Sequence, residues 1–145
     1  MTNKLNSLQS IPDNYILEKL HELGSKYYND KSTADTELRI YNYDNPFFVH
    51  RDYLIKQSNF FQKVFENLSN IDVDLTLEVD VITIHLPFPQ YFEPILKYLY
   101  DNNDDQFYEI LTMDNYKKIC ENIEYLGIGI KVKSVCKAFQ EAAEK

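Results

Sequence analysis

Glycine is scarce in this chain, with three among 145 residues. No GxGxxG or P-loop pattern occurs, and so few glycines cannot build the backbone cradle that holds a nucleotide phosphate. Cysteine is scarcer still. Cys120 and Cys136 form no CxxC pair, which removes the usual zinc-ligand spacing. Both fall within helical apolar patterns. A lone disulfide and two reduced, buried thiols are both open readings, the second being favoured. Basic charge is short as well: 15 Lys and Arg face 23 Asp and Glu, for a net charge of −8. Nucleic-acid binders neutralise phosphate with basic surface, and the best local patch here is the small Lys131, Lys133 pair. Nucleic acid is not an expected partner. Apolar runs fall far short of the ~20 residues that span a bilayer. The polar stretch Met1–Ser10 lacks the apolar core of a signal peptide. No membrane partner is expected, and the sequence reads as a soluble protein of the cytoplasm or nucleus.

What is present points to a folded domain. Hydrophobic residues make up 44%, too many for a disordered chain. A single domain of this length buries roughly 68–70% of its unfolded surface, enough for one core. Residues 1–11 read as a flexible tail and 12–142 as the domain. A first helix is expected over 12–24, opened by Pro12 and ended by Gly24, with Ile16, Leu17, Leu20 and Leu23 on one face. Ser25 to Asp35 reads as a connection. Leu38 and Ile40 alternate with polar residues, a turn follows at Tyr43 to Pro46, and Phe47 to Val49 completes a hairpin.

Helical spacing returns with Tyr53 and Leu54, and again after a Ser58 cap with Phe61, Val64, Phe65 and Leu68. Ile82, Ile84 and Leu86 mark another strand. Phe92, Ile95, Leu96 and Leu99 mark another helix. The acidic run Asp101 to Gln106 reads as a loop and Glu109 to Leu111 as a short edge strand. Thr112 caps a helix bearing Tyr116, Ile119, Cys120, Ile123 and Leu126. Gly127 and Gly129 break it, and Val132, Val135, Cys136 and Phe139 mark a last helix. The order predicts an α+β fold, a small, mostly antiparallel sheet flanked by helical hairpins.

Catalytic chemistry finds little support. The histidines His21, His50 and His85 are scattered, with no nucleophile elbow or glycine-rich oxyanion loop beside them. Asp101, Asp104 and Asp105 lack the glycine and terminal glutamate of an EF-hand. No enzyme activity, metal or cofactor is expected.

One motif stands out. The run Phe47-x-x-His50-Arg51-x-x-Leu54-x-x-x-Ser58-x-Phe60-Phe61-x-x-x-Phe65 resembles, without a gap, the signature of the BTB/POZ family. Phe92-x-x-Ile95-Leu96-x-Tyr98-Leu99-Tyr100 is similar to the helix after that family's third strand. Tyr116 through Phe139 looks like its closing helical hairpin. The resemblance covers about residues 13–140. His50, Ser58, Phe61 and Phe65, with Phe47 and Leu54, read as structural residues that specify the fold; function then belongs to surfaces. Asp101-Asn102-Asn103 stands where the family often has a turn glycine.

The resemblance implies a protein-interaction module. Family members often homodimerise through an N-terminal helix, which here offers Ile16, Leu17, Leu20 and Leu23 as interface. A charged pocket of some dimeric members corresponds to Asp35 and Arg51. Many members dock cullin-3 and bring substrates to a ubiquitin ligase. The hydrophobic-x-Glu docking motif has its nearest match in Leu68-Ser69-Asn70, with Asp72 close by. The expected partners are a second copy of the chain, cullin-3, and an unidentified protein substrate or cofactor. The alternatives are a self-association scaffold or transcription-cofactor module without cullin, and a monomeric elongin C-like adaptor. Met1 suggests a natural start. No Kelch, zinc-finger, MATH or ankyrin region follows, so the chain is either BTB-only or part of a longer protein.

Overall fold

The computed structural model describes residues 13–69 and 80–144. Two short helices open it, α1 (Asp13–Glu22) and α2 (Gly24–Tyr27). Strands β1 (Thr36–Ile40) and β2 (Phe47–Val49) form the expected hairpin, with Leu38 opposite Phe47. Its turn places Asn42 at φ 67°, a left-handed position that asparagine tolerates better than most side chains. Helices α3 (Arg51–Ile55) and α4 (Asn59–Ser69) follow, then β3 (Asp80–Ile84). A 3-10 turn at Pro89–Tyr91 leads into α5 (Phe92–Asp101). Helices α6 (Asp104–Ile110), α7 (Tyr116–Leu126) and α8 (Ile130–Ala143) complete the α+β fold. The tail expected over residues 1–11 lies outside the described residues.

Strand alternation decides which side chains enter the core. Leu38 and Ile40 of β1 are buried while Arg39 between them is exposed. Ile82 and Ile84 of β3 do the same around the exposed Thr83. Helix spacing supplies the other side: Phe61, Phe92, Ile95, Leu96, Leu99, Ile119, Ile123 and Leu126 are all 0–1% exposed and belong to one cluster. Phe92 joins the sheet to the helices. Its ring meets Phe47 edge-on at 5.3 Å and tilts against Phe61 at 6.5 Å. Each such aromatic contributes about 1.5–3 kcal/mol through burial.

Four details differ from the sequence reading. The sheet order is β2-β1-β3, and β3 runs parallel to β1, so the sheet is mixed and only the β1–β2 pair is antiparallel. The connection from β2 to β3 is long enough, with α3 and α4 in it, to carry the chain back to the same end. The segment after Gly24 begins with a helical turn, α2, and Gly24 is a contact residue more than a helix stop. A Cβ there would sit 1.9 Å from the Tyr100 carbonyl oxygen. The acidic run is helical from Asp104, and Glu109 and Ile110 belong to α6 and not to an edge strand. Asn103 caps that helix by accepting from the Gln106 N–H at 3.1 Å, and Asp104 and Asp105 suit its positive end.

Candidate functional site

The signature residues form the joint between β2, α3, α4 and the closing hairpin. Phe47, Leu54, Ser58, Phe61 and Phe65 are buried. Ser58 precedes α4 and does two things at once. Its hydroxyl accepts from the Phe61 N–H at 3.2 Å and donates to the Leu126 carbonyl at 2.5 Å. It therefore caps α4 and ties that helix to the end of α7. The Asn59 N–H donates to the Gly127 carbonyl in the same seam.

His50 stands between β2 and α3. Its backbone N–H donates to the Tyr100 hydroxyl at 2.8 Å, and its Nδ1 lies 2.8 Å from the same hydroxyl. Its Nε2 lies 2.8 Å from Thr33 Oγ1. The hydroxyl that accepts from the backbone can donate to Nδ1, leaving Nε2–H to donate to Thr33, the pattern of a neutral ring. Burial lowers the His50 pKa, with Asp35, Asp30 and Asp52 opposing that shift. Burial pushes the Tyr100 phenol up. Tyr53 stacks on Tyr100 at 4.1 Å, and its hydroxyl donates to the Leu20 carbonyl of α1.

Asp35 and Arg51 do come together, and a third residue joins them. Asp35 accepts from the Arg51 N–H at 3.1 Å and from the Thr36 hydroxyl at 2.9 Å. The Arg51 Nε lies 3.8 Å from Asp35, while its Nη2 pairs with Asp80. The guanidinium also lies over the Phe65 ring, 5.4 Å from its centre. Asp80 was not singled out from sequence. It arrives because parallel pairing sets Asp80 opposite Thr36, with the Asp80 N–H donating to the Asp35 carbonyl. A sequence read without the strand direction contains no signal for that.

The four apolar residues of the first helix do not share one environment. Leu20 packs against the domain's own core. Ile16 and Leu17 are half-buried. Leu23, just past α1, is 47% exposed, and Tyr15 is 51% exposed. Leu17 edges an open groove that also involves His21, Lys56, Gln57, Gly129 and Lys131. His21 Nε2 donates to Gln57 Oε1 at 3.1 Å, and Gln57 in turn donates to the Leu99 and Tyr53 carbonyls. Burial lowers the His21 pKa against that hydrogen bond, with Lys131 adding to the lowering. The third histidine, His85, is exposed and stacks on Tyr41 at 4.6 Å.

Leu68 lies in the last turn of α4. Asn70 and Asp72 lie outside the described residues. Asn122 was also missed from sequence. It is fully buried and brackets Phe88, accepting from its N–H at 3.0 Å and donating to its carbonyl at 2.8 Å. Its place among Ile119, Ile123 and Leu126 on a helix was the available clue, since a buried amide needs a partner. Among the described residues no group of three metal-ligating side chains converges, and no helix is long and apolar enough to cross a membrane.

The model of the BTB/POZ domain family matches residues 25–142. The chain belongs to the BTB/POZ family. The fold agrees: the BTB domain of zebrafish PATZ1 superposes with a TM-score of 0.58 at 19% identity, over 92% of this chain and 95% of that one. No curated protein matches the chain. BTB/POZ domains are protein-interaction modules, and this chain is one. The family match begins after α1, so the helix carrying Ile16, Leu17 and Leu20 precedes it.

Proposed function

We propose that the chain is a homodimerising BTB/POZ adaptor that links a cullin-3 ubiquitin ligase to a protein substrate. The supporting observation is the apolar surface left at α1. Tyr15 and Leu23 are about half exposed, and Leu17 borders a groove floored by α3, α4 and the turn before α8. A second copy docking its α1 there would make an isologous contact that covers these residues on both subunits. Ile16 lies beside this surface, while Leu20 anchors α1 to its own domain through core packing and through the Tyr53 hydroxyl. The Asp35, Arg51, Asp80 cluster is the polar feature that fixes register or receives a partner side chain. As an exposed ion pair alone, Asp35 and Arg51 contribute only about 0–1 kcal/mol to stability.

Cullin docking rests on Leu68 at the end of α4, with Asn70 and Asp72 beyond it, in the place of the family's hydrophobic-x-Glu motif. One apolar anchor seated in a groove can carry much of an interface's energy. The test is calorimetric titration of the full chain with the N-terminal domain of cullin-3, alongside its mass in solution. Micromolar binding by a dimer, weakened by Leu68→Asp, supports the adaptor. A dimer that does not bind is a self-association scaffold or transcription-cofactor module. A monomer that binds is an elongin C-like adaptor, a group that normally lacks the leucine-bearing helix present here as α1.

A further inference from the structure

The surface at α1 is polarised. Leu17 and His21 border cavities on two sides of the helix. Glu18, Glu22 and Asp101 edge the first cavity and not the second, while Lys56 and Lys131 edge the second and not the first. Acids and cations therefore form separate banks, with Leu17 between them. Most of these charges already have ion partners. Glu22 pairs with Lys19 at 3.4 Å, Asp101 with Lys97 at 3.1 Å, and Lys131 with Asp104 at 3.9 Å. Glu18 and Lys56 are both exposed, and neither has an ion partner among the described residues.

An isologous contact requires a patch that complements itself under a two-fold rotation. An apolar ridge with acid on one bank and base on the other meets that requirement. A two-fold axis beside Leu17 lays the acidic bank of each subunit against the basic bank of its partner. We propose that the occupant of the groove is α1 of a second copy, with Glu18 of each subunit paired to the partner's Lys56. The pairing rests on homodimerisation through α1 and fixes the register of that contact. Apolar burial along Leu17, Ile55 and Ile128 supplies the affinity. The charge pairs at its rim supply specificity, because other registers set like charges against each other.

Sedimentation equilibrium of the full chain tests the pairing by charge exchange. Lys56→Glu and Glu18→Lys each set like charges together at both symmetry-related contacts. Each should raise the dimer dissociation constant at least about tenfold. Mixed in equal amounts, the two variants should form a heterodimer of near wild-type affinity, because both of its contacts again join opposite charges. A chain carrying both substitutions should dimerise with itself in the same way, which shows that neither substitution damages the fold. Net charge alone gives the opposite result for one variant: Glu18→Lys removes two of the eight net negative charges and would tighten the dimer. The pairing is overturned, with the dimer intact, if either variant associates as tightly as the wild type. It is also overturned if mixing the variants fails to restore association, in which case the groove receives another element or another partner. A wild-type chain that stays monomeric overturns homodimerisation itself together with the pairing.

Discussion

His50 is surrounded by groups that favour its neutral ring. Protonating Nδ1 would aim a second N–H at the Tyr100 hydroxyl, which already accepts from the His50 backbone. Burial lowers the His50 pKa below its ordinary 6.5, and His21 shifts the same way. The sign follows from linkage. As pH falls past about 6.5, the unfolded chain binds these protons before the folded one does. The stability from neutral His50 and His21 is fully present above that pH and is lost as pH falls toward their folded values. The midpoint of urea unfolding should fall between pH 7.5 and pH 5. His50→Gln should be less stable at pH 7.5, and its decline over that interval shallower. An unchanged slope in the variant would show that His50 does not titrate against folding. Sequence alone placed His50 and Ser58 in structural roles, because their motif is local. Tyr100, fifty residues on, was read only as part of a helix, and its hydroxyl's role emerges when α5 packs against β2. Gly24 was legible as a breaker but not as a contact. Gly24→Ala would drive a methyl into the Tyr100 carbonyl. It should cost about 1–3 kcal/mol, as overpacking does, measured by chemical denaturation.

At the scale of elements, helix ends carry much of the specificity. Asn102 closes α5 at φ 53°, donating its N–H to the Tyr98 carbonyl, while Asp101 Oδ1 accepts from the Asn103 N–H. Asparagine thus occupies a left-handed position that it tolerates better than most side chains. Asn102→Gly should be close to neutral, whereas Asn102→Val should cost about 1–2 kcal/mol. Equal effects in the two variants would refute the backbone explanation. Gly127 ends α7 with a paired closure: its N–H reaches the Glu124 carbonyl and the Ile128 N–H reaches the Ile123 carbonyl. The junction of α4 with α7 then depends on Ser58. Ser58→Ala removes a cap and leaves the Leu126 carbonyl without that donor. A loss of about 1–3 kcal/mol is expected in denaturant titration. Element types followed apolar spacing wherever four or five side chains repeated, as in α4, α5 and α7. They failed at α6, where Phe107 is the sole buried residue and the surrounding acids imitate a loop.

The whole molecule carries a formal charge of −8, so any dimer brings together two like-charged bodies. The sheet's parallel pair was illegible because strand direction depends on how a long connection returns, and no residue encodes that locally. The surface at α1 was legible as an apolar stripe, but its division was not. Only packing shows that Leu20 turns inward while Leu23 and Tyr15 stay partly open. That division selects the variant. Leu17→Asp with Leu23→Asp leaves the Leu20 anchor intact and should convert a dimer to a folded monomer, seen as halved mass in light scattering with an unchanged far-ultraviolet spectrum. Wild-type Tm should rise with protein concentration, since only the associated state gains from mass action, and the variant's should not. Salt separates the two forces available to the interface. If apolar burial at α1 drives association, raising ionic strength screens the repulsion between copies and tightens the dimer. If pairing through Arg51 and the acids of the partner drives it, the same salt loosens the dimer. The exposed apolar residues at α1 and the internal pairing of Arg51 with Asp35 and Asp80 favour the first outcome. Sedimentation equilibrium at low and high sodium chloride should therefore give the lower dissociation constant at high salt.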